Sequence, residues 1–122
     1  MRRILIADDE PSVRDVLRNL MEDEGYEVSE AGSGDEVLAA LSTPGNGSPD
    51  LVIMDVYMPG KSGLDVLREV RKGTGQAAGA QLPVLVITGR GTSKTAIEAI
   101  QLGAYDYITK PFDIDDVAVT VK

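Results

Sequence analysis

The chain contains no cysteine and no histidine. The first absence excludes disulfides and thiolate chemistry. The second excludes imidazole metal sites and a histidine general base. Positive charge is also scarce, with 12 Lys and Arg against 20 Asp and Glu and a net charge of −8. That balance argues against non-specific binding to DNA or to an anionic membrane, so no direct nucleic-acid contact is expected. Long apolar runs are missing too. The N-terminal stretch Met1-Arg2-Arg3-Ile4-Leu5-Ile6-Ala7 meets acid at Asp8, too soon for a signal peptide or a membrane span. A cytoplasmic location is the expectation. Asn46-Gly47-Ser48 fits a glycosylation triplet but, without a secretion signal, reads as loop.

What remains is an ordinary soluble composition, 43% hydrophobic and 26% charged, and a length of 122 residues that suits one domain. Apolar segments alternate with helix-like ones. Ile4 to Ala7 reads as a first strand, and Pro11 to Glu24 as a helix with Val13, Val16, Leu17, Leu20 and Met21 on one face. Pro11 suits the first helical turn and Gly25 the stop. Tyr26 to Ala31 alternates like a half-exposed strand. Ser33 and Glu36 form a candidate capping box for a helix through Leu41. A loop over 42–50 leads to a third strand, Leu51 to Met54.

Leu64, Leu67 and Val70 mark a third helix, followed by a small-residue connection over 73–81. Val84 to Thr88 is a fourth strand. Ala96, Ile97, Ile100 and Leu102 suggest a fourth helix, stopped by Gly103. Tyr105 to Thr109 is a fifth strand, and Ile114, Val117, Ala118 and Val121 outline a last helix. The reading is a single (βα)₅ domain over 1–122, an α/β fold with a doubly wound parallel sheet and right-handed crossovers. The last helix reads as clipped, which leaves room for the natural protein to continue past Lys122.

The chemistry gathers at one edge of that sheet. Asp8, Asp9 and Glu10 follow strand one, Asp55 follows strand three, Thr88 closes strand four and Lys110 follows strand five. In a flavodoxin-like 2-1-3-4-5 order, strands one and three are neighbours at the topological switch point, so Asp8, Asp9 and Asp55 converge. Two carboxylates ~4 Å apart repel by about 4 kcal/mol at an effective dielectric near 20. Such a cluster needs a cation, and oxygen ligands without His or Cys favour Mg²⁺ or Mn²⁺ over zinc. With Lys110 and the Thr88 hydroxyl beside it, the arrangement suits a phosphoryl group, and one carboxylate can act as nucleophile to form an acyl phosphate. A simpler reading makes Asp8-Asp9-Glu10 a helix cap and Asp55 the cap of the next helix, although that helix is expected to start later, near Ser62. Four motifs on one edge favour the site. Gly89 to Thr95 looks like a phosphate loop, but Thr88 and Ser93 stand where that pattern needs glycine.

These motifs together resemble the receiver domain of two-component response regulators. They are Ile4-Leu5-Ile6-Ala7-Asp8-Asp9-Glu10, Asp55-Val56-Tyr57-Met58-Pro59 with Gly63, Thr88-Gly89, and Gly103 through Phe112. The resemblance covers essentially the whole chain. The run Lys110-Pro111-Phe112-Asp113-Ile114-Asp115 looks most like the enhancer-binding regulator branch. The resemblance implies that Asp55 is the phosphoacceptor. Asp9 would ligate Mg²⁺ directly, with Asp8 assisting, and the Tyr57 backbone carbonyl would be a further ligand. It gives Thr88 and Lys110 the roles of switch hydroxyl and phosphoryl-contacting ammonium, and Tyr107 that of the aromatic that turns inward on activation. A cis bond is implied at Lys110-Pro111.

The implied function is a signalling switch that takes part in its own phosphorylation and dephosphorylation. A sensor histidine kinase or phosphotransfer protein would supply the phosphoryl group, and an output domain would follow Lys122. Rival readings are an aspartyl-phosphate hydrolase, a non-phosphorylated interaction module and a flavin-binding domain. The hydrolase usually carries a second Asp where this chain has Tyr57. The complete acidic site argues against the second, and three acids after strand one stand where the third needs a phosphate loop.

Overall fold

The computed structural model describes residues 3–42, 49–56, 58, 62–72, 83–88 and 93–109. Nine elements alternate along the chain: β1 (Arg3–Ala7), α1 (Pro11–Asp23), β2 (Glu27–Ala31), α2 (Gly34–Ser42), β3 (Leu51–Met54), α3 (Gly63–Lys72), β4 (Val84–Thr88), α4 (Ser93–Gln101) and β5 (Asp106–Thr109). The strands form one parallel sheet in the order β2-β1-β3-β4-β5, the expected flavodoxin-like winding. The final helix read from Ile114 to Val121 lies outside the described residues, as do Pro59 and Gly60 and most of the two long connections.

The apolar runs become strands because both faces of the sheet are covered. Alternate residues feed two cores. On one face Ile4, Ile6, Ile53, Leu85 and Ile87 pack with Leu17 and Met21 of α1. On the other, Leu5, Ala7, Val52, Met54, Val84 and Val86 pack with Val37 of α2, Val66 and Leu67 of α3, and Ala99 of α4. The helix punctuation follows local chemistry. Ser33 Oγ accepts the Glu36 N–H at 3.3 Å, while the Glu36 carboxylate accepts the Ser33 hydroxyl and the Gly32 N–H, both at 3.2 Å. Gly25 and Gly103 take φ of 93° and 97° just past α1 and α4, where side chains are disfavoured.

Several expectations need correction. Val16 is 44% exposed, because the buried stripe of α1 runs through Val13, Leu17, Leu20 and Met21 and Val16 lies one residue to its side. The helix suggested by Ala96, Ile97, Ile100 and Leu102 forms, with Ile97 and Ile100 58% and 49% exposed. Ala99 meets the sheet instead, and the two isoleucines line another side of the helix. Strands β2 and β5 begin at Glu27 and Asp106, one residue later than the pattern implied. The shift at β5 leaves Tyr105 in the preceding bend, 60% exposed.

Candidate functional site

The carboxyl edge of the sheet is set by register. Ala7 of β1 lies opposite Ala31 of β2 and Met54 of β3, Met54 lies opposite Val86 of β4, and Val86 opposite Tyr107 of β5. One step past that row, Asp8 and Asp55 leave adjacent strands together. Their backbones continue the ladder: the Asp8 N–H donates to the Ala31 carbonyl at 3.1 Å, and the Asp55 N–H to the Ala7 carbonyl at 3.0 Å. The two acids are therefore fixed at their main chains.

Each of Asp8, Asp9 and Asp55 offers one carboxylate oxygen, and the three oxygens lie within 4.8 Å of one another. Asp8 and Asp55 are buried, at 2% and 6% exposure, while Asp9 is exposed. Like charges so close, two of them screened from water, suit a hard cation with oxygen ligands. The three side chains thus fit a Mg²⁺ or Mn²⁺ ion. The three carboxylates are not equivalent. Asp8 Oδ1 accepts the Glu10 N–H at 2.9 Å, so part of its capacity serves the turn. Glu10, the N-cap of α1, makes no side-chain cap bond. Helix capping thus accounts for little of this acidic run.

Asp55 is not a helix cap either. Helix α3 carries its own reciprocal cap, in which Ser62 Oγ accepts the Asp65 N–H at 3.2 Å and Asp65 accepts the Ser62 N–H at 3.3 Å. The start of α3 presses directly on the segment that follows β3. The Gly63 N–H donates to the Val56 carbonyl at 2.7 Å. A Cβ at Gly63 would collide with the Asp55 carbonyl oxygen and lie 2.9 Å from Val56 Cα. Glycine is required there by close approach of backbone to backbone, not by an unusual φ.

Thr88 ends β4 and pairs with Thr109 of β5, so its main chain stands at the same edge as the acids. Its side chain lies outside the described residues, and so do Tyr57, Lys110, Pro111 and the run to Asp115. Tyr107 packs against the core face shared with Ala7, Met54 and Val86, and its hydroxyl oxygen is enclosed. The ring is turned inward.

Sequence reasoning passed over a ladder of ions beside the site. Arg14 Nη1 donates to the Asp8 carbonyl at 2.6 Å, and Arg14 Nε to Glu30 at 3.1 Å. Arg18 reaches the other Glu30 oxygen at 2.8 Å and Asp15 at 3.2 Å. The Glu30 hydrogen bond and charge raise the Arg18 pKa above its ordinary value. Arg14 and Arg18 stand four residues apart and so share a side of α1, but their pairing with Glu30, one residue before the end of β2, is set by how α1 lies on the sheet.

The response regulator receiver domain family matches residues 4–122. The transcriptional regulatory protein DltR of Streptococcus agalactiae is 36% identical over 120 residues, covering 98% of this chain and 50% of that protein. The transcriptional regulatory protein CpxR of Klebsiella pneumoniae is 34% identical over 122 residues, or 100% of this chain and 48% of that one. The chain spans about half the length of these curated relatives. Among solved structures, a putative response regulator from Chloroflexus aurantiacus superposes with a TM-score of 0.88 at 33% identity, covering 99% of this chain and 94% of that one.

Proposed function

From the premise that this chain belongs to the response regulator receiver domain family, we propose that Asp55 is its phosphoacceptor in two-component signalling. The observation that carries the reading is the convergence of the Asp8, Asp9 and Asp55 carboxylates at the carboxyl edge, with Asp55 buried on a fixed backbone. One Asp55 oxygen attacks the donor phosphorus in line as the bond from phosphorus to its leaving group breaks. The product is an acyl phosphate, and water later returns carboxylate and inorganic phosphate. Asp8, Asp9, Asp55 and the Tyr57 carbonyl would hold a Mg²⁺, or a Mn²⁺, which when bound offsets charge on the carboxylates and the phosphoryl oxygens. Lys110 supplies the fixed positive charge for the phosphoryl group. Thr88 and Tyr107 couple its arrival to the β4–α4–β5 side of the domain.

The natural donor is a sensor histidine kinase or phosphotransfer protein in the cytoplasm. Among the described residues, no helix is long and apolar enough to cross a membrane. Relatives twice as long, named transcriptional regulators, support an output segment after a receiver domain at 1–122. Any DNA contact is assigned to that segment rather than to this acidic domain. The test is intact mass after incubation with acetyl phosphate. One added phosphoryl group is expected, dependent on Mg²⁺ and lost in Asp55→Asn. Equal labelling of the mutant would overturn the assignment.

A further inference from the structure

The ion ladder on α1 and β2 touches the acidic loop at a specific place. The Asp8 carbonyl, which accepts the Arg14 Nη1 bond at 2.6 Å, belongs to the peptide joining Asp8 to Asp9. That peptide is also bounded by the Asp8 N–H bond to Ala31 and by the Asp8 Oδ1 bond from Glu10. Arg14 completes the clamp and so fixes the direction in which Asp9 leaves the loop. The Arg14 side chain is largely enclosed, at 21% exposure. A clamp of this kind brings a full positive charge to the rim of a site built for a cation. Unneutralised, it would repel the ion that the loop is shaped to hold. Glu30 meets that need, accepting Arg14 Nε on one oxygen and Arg18 Nη1 on the other, so it both orients the fork and offsets its charge.

We propose that Glu30 is a positioning residue for the cation site, acting through Arg14: it holds the guanidinium on the Asp8–Asp9 peptide and cancels the charge that would otherwise weaken cation binding. This rests on the reading of Asp8, Asp9 and Asp55 as a Mg²⁺ site. Neither Glu30 nor Arg14 is among the residues that would hold the ion or the phosphoryl group.

The test is a double-mutant cycle on the unphosphorylated protein, with Mg²⁺ affinity measured by calorimetry. Glu30→Gln should bind Mg²⁺ roughly tenfold more weakly at low salt, and the loss should shrink as salt screens the uncovered charge. In an Arg14→Met background the same change should alter affinity by less than about twofold, because the charge it offsets is gone. Glu30→Asp, which keeps the carboxylate, should stay within about twofold of wild type. A salt-independent loss of equal size in both backgrounds would overturn the proposal and leave the cation site standing. Wild-type protein that takes up no Mg²⁺ would overturn the site reading, and this inference with it.

Discussion

Helix α1, beside β1 and β2, and helix α4, beside β5, meet the sheet in different ways. α1 buries Leu17 and Met21 completely and ties two arginines to Glu30 at the end of β2. Among its described side chains, α4 buries Ala99 alone and leaves Ile97 and Ile100 about half exposed. Its one described ion pair runs from Glu98 to Arg68 of α3 at 2.6 Å. The helix next to the acids is anchored by volume and charge, whereas the described side chains of α4 supply little of either. A switch needs this asymmetry. On the proposed reading, the part that would hold the cation and phosphoryl group must stay in place, and the part that would report on them must be cheap to move.

Truncation in the two helices gives the largest contrast. Leu17→Ala should cost about 3 kcal/mol, because a fully buried leucine leaves a cavity against Ile6 and Ile53. Ile100→Ala should cost no more than about 0.5 kcal/mol, as expected of an exposed position. Urea unfolding of both variants measures the difference. Comparable losses would mean that α4 is as firmly seated as α1 and would break the comparison.

Gly63→Ala tests the rigid side at Asp55, the proposed acceptor. The added methyl would force the start of α3 away from the Asp55–Val56 backbone, at a cost of about 1–3 kcal/mol. Asp55 should move with it. Amide NMR shifts around Asp8 and Asp55 should change more than those of α4. A variant of wild-type stability with unmoved shifts would show that the loop gives way freely and is not rigid.

A third contrast lies within the acidic cluster. Asp9 is exposed, whereas Asp8 spends an oxygen on the Glu10 N–H. Asp9→Ala should therefore lower Mg²⁺ affinity more than Asp8→Ala, by about tenfold, the equivalent of ~1.4 kcal/mol. Calorimetric titration decides it, and equal losses would assign both carboxylates the same role.

The contrast also marks what could be read from residues alone. Strands with continuous apolar runs, such as Leu51 to Met54, announce burial on both faces. Acids directly after them announce the edge at which ligands bind. Gly25 and Gly103 were legible as helix stops, since their positive φ is a local demand. The exposure of Ile97 and Ile100 was not, because a helical apolar pattern records that a face is apolar, not that something covers it. Arg14 and Glu30 were illegible for a related reason. Their pairing depends on how α1 lies across β2, a tertiary distance that neither segment encodes by itself. Gly63 belonged to a recognisable motif, but its necessity appears only once two backbones are seen in contact.

The smallest expected effect is the most direct test of the loosely held side. Glu98→Gln removes the ion pair with Arg68, which keeps its second partner, Asp65, at 3.0 Å. Both partners are part-exposed, so the global cost should be only about 0.2–1 kcal/mol. Its consequence for α4 should be local. Among the described side chains of α4 only Ala99 is buried, so a modest change should raise the frequency with which the helix opens. Amide hydrogen exchange in Ser93–Gln101 should quicken, while exchange in Pro11–Asp23 stays at the wild-type rate. The phosphoryl mimic beryllofluoride should then shift α4 resonances more readily in the variant. Uniform exchange across both helices would mean that α1 and α4 open together, and the division into a fixed side and a moving side would not hold.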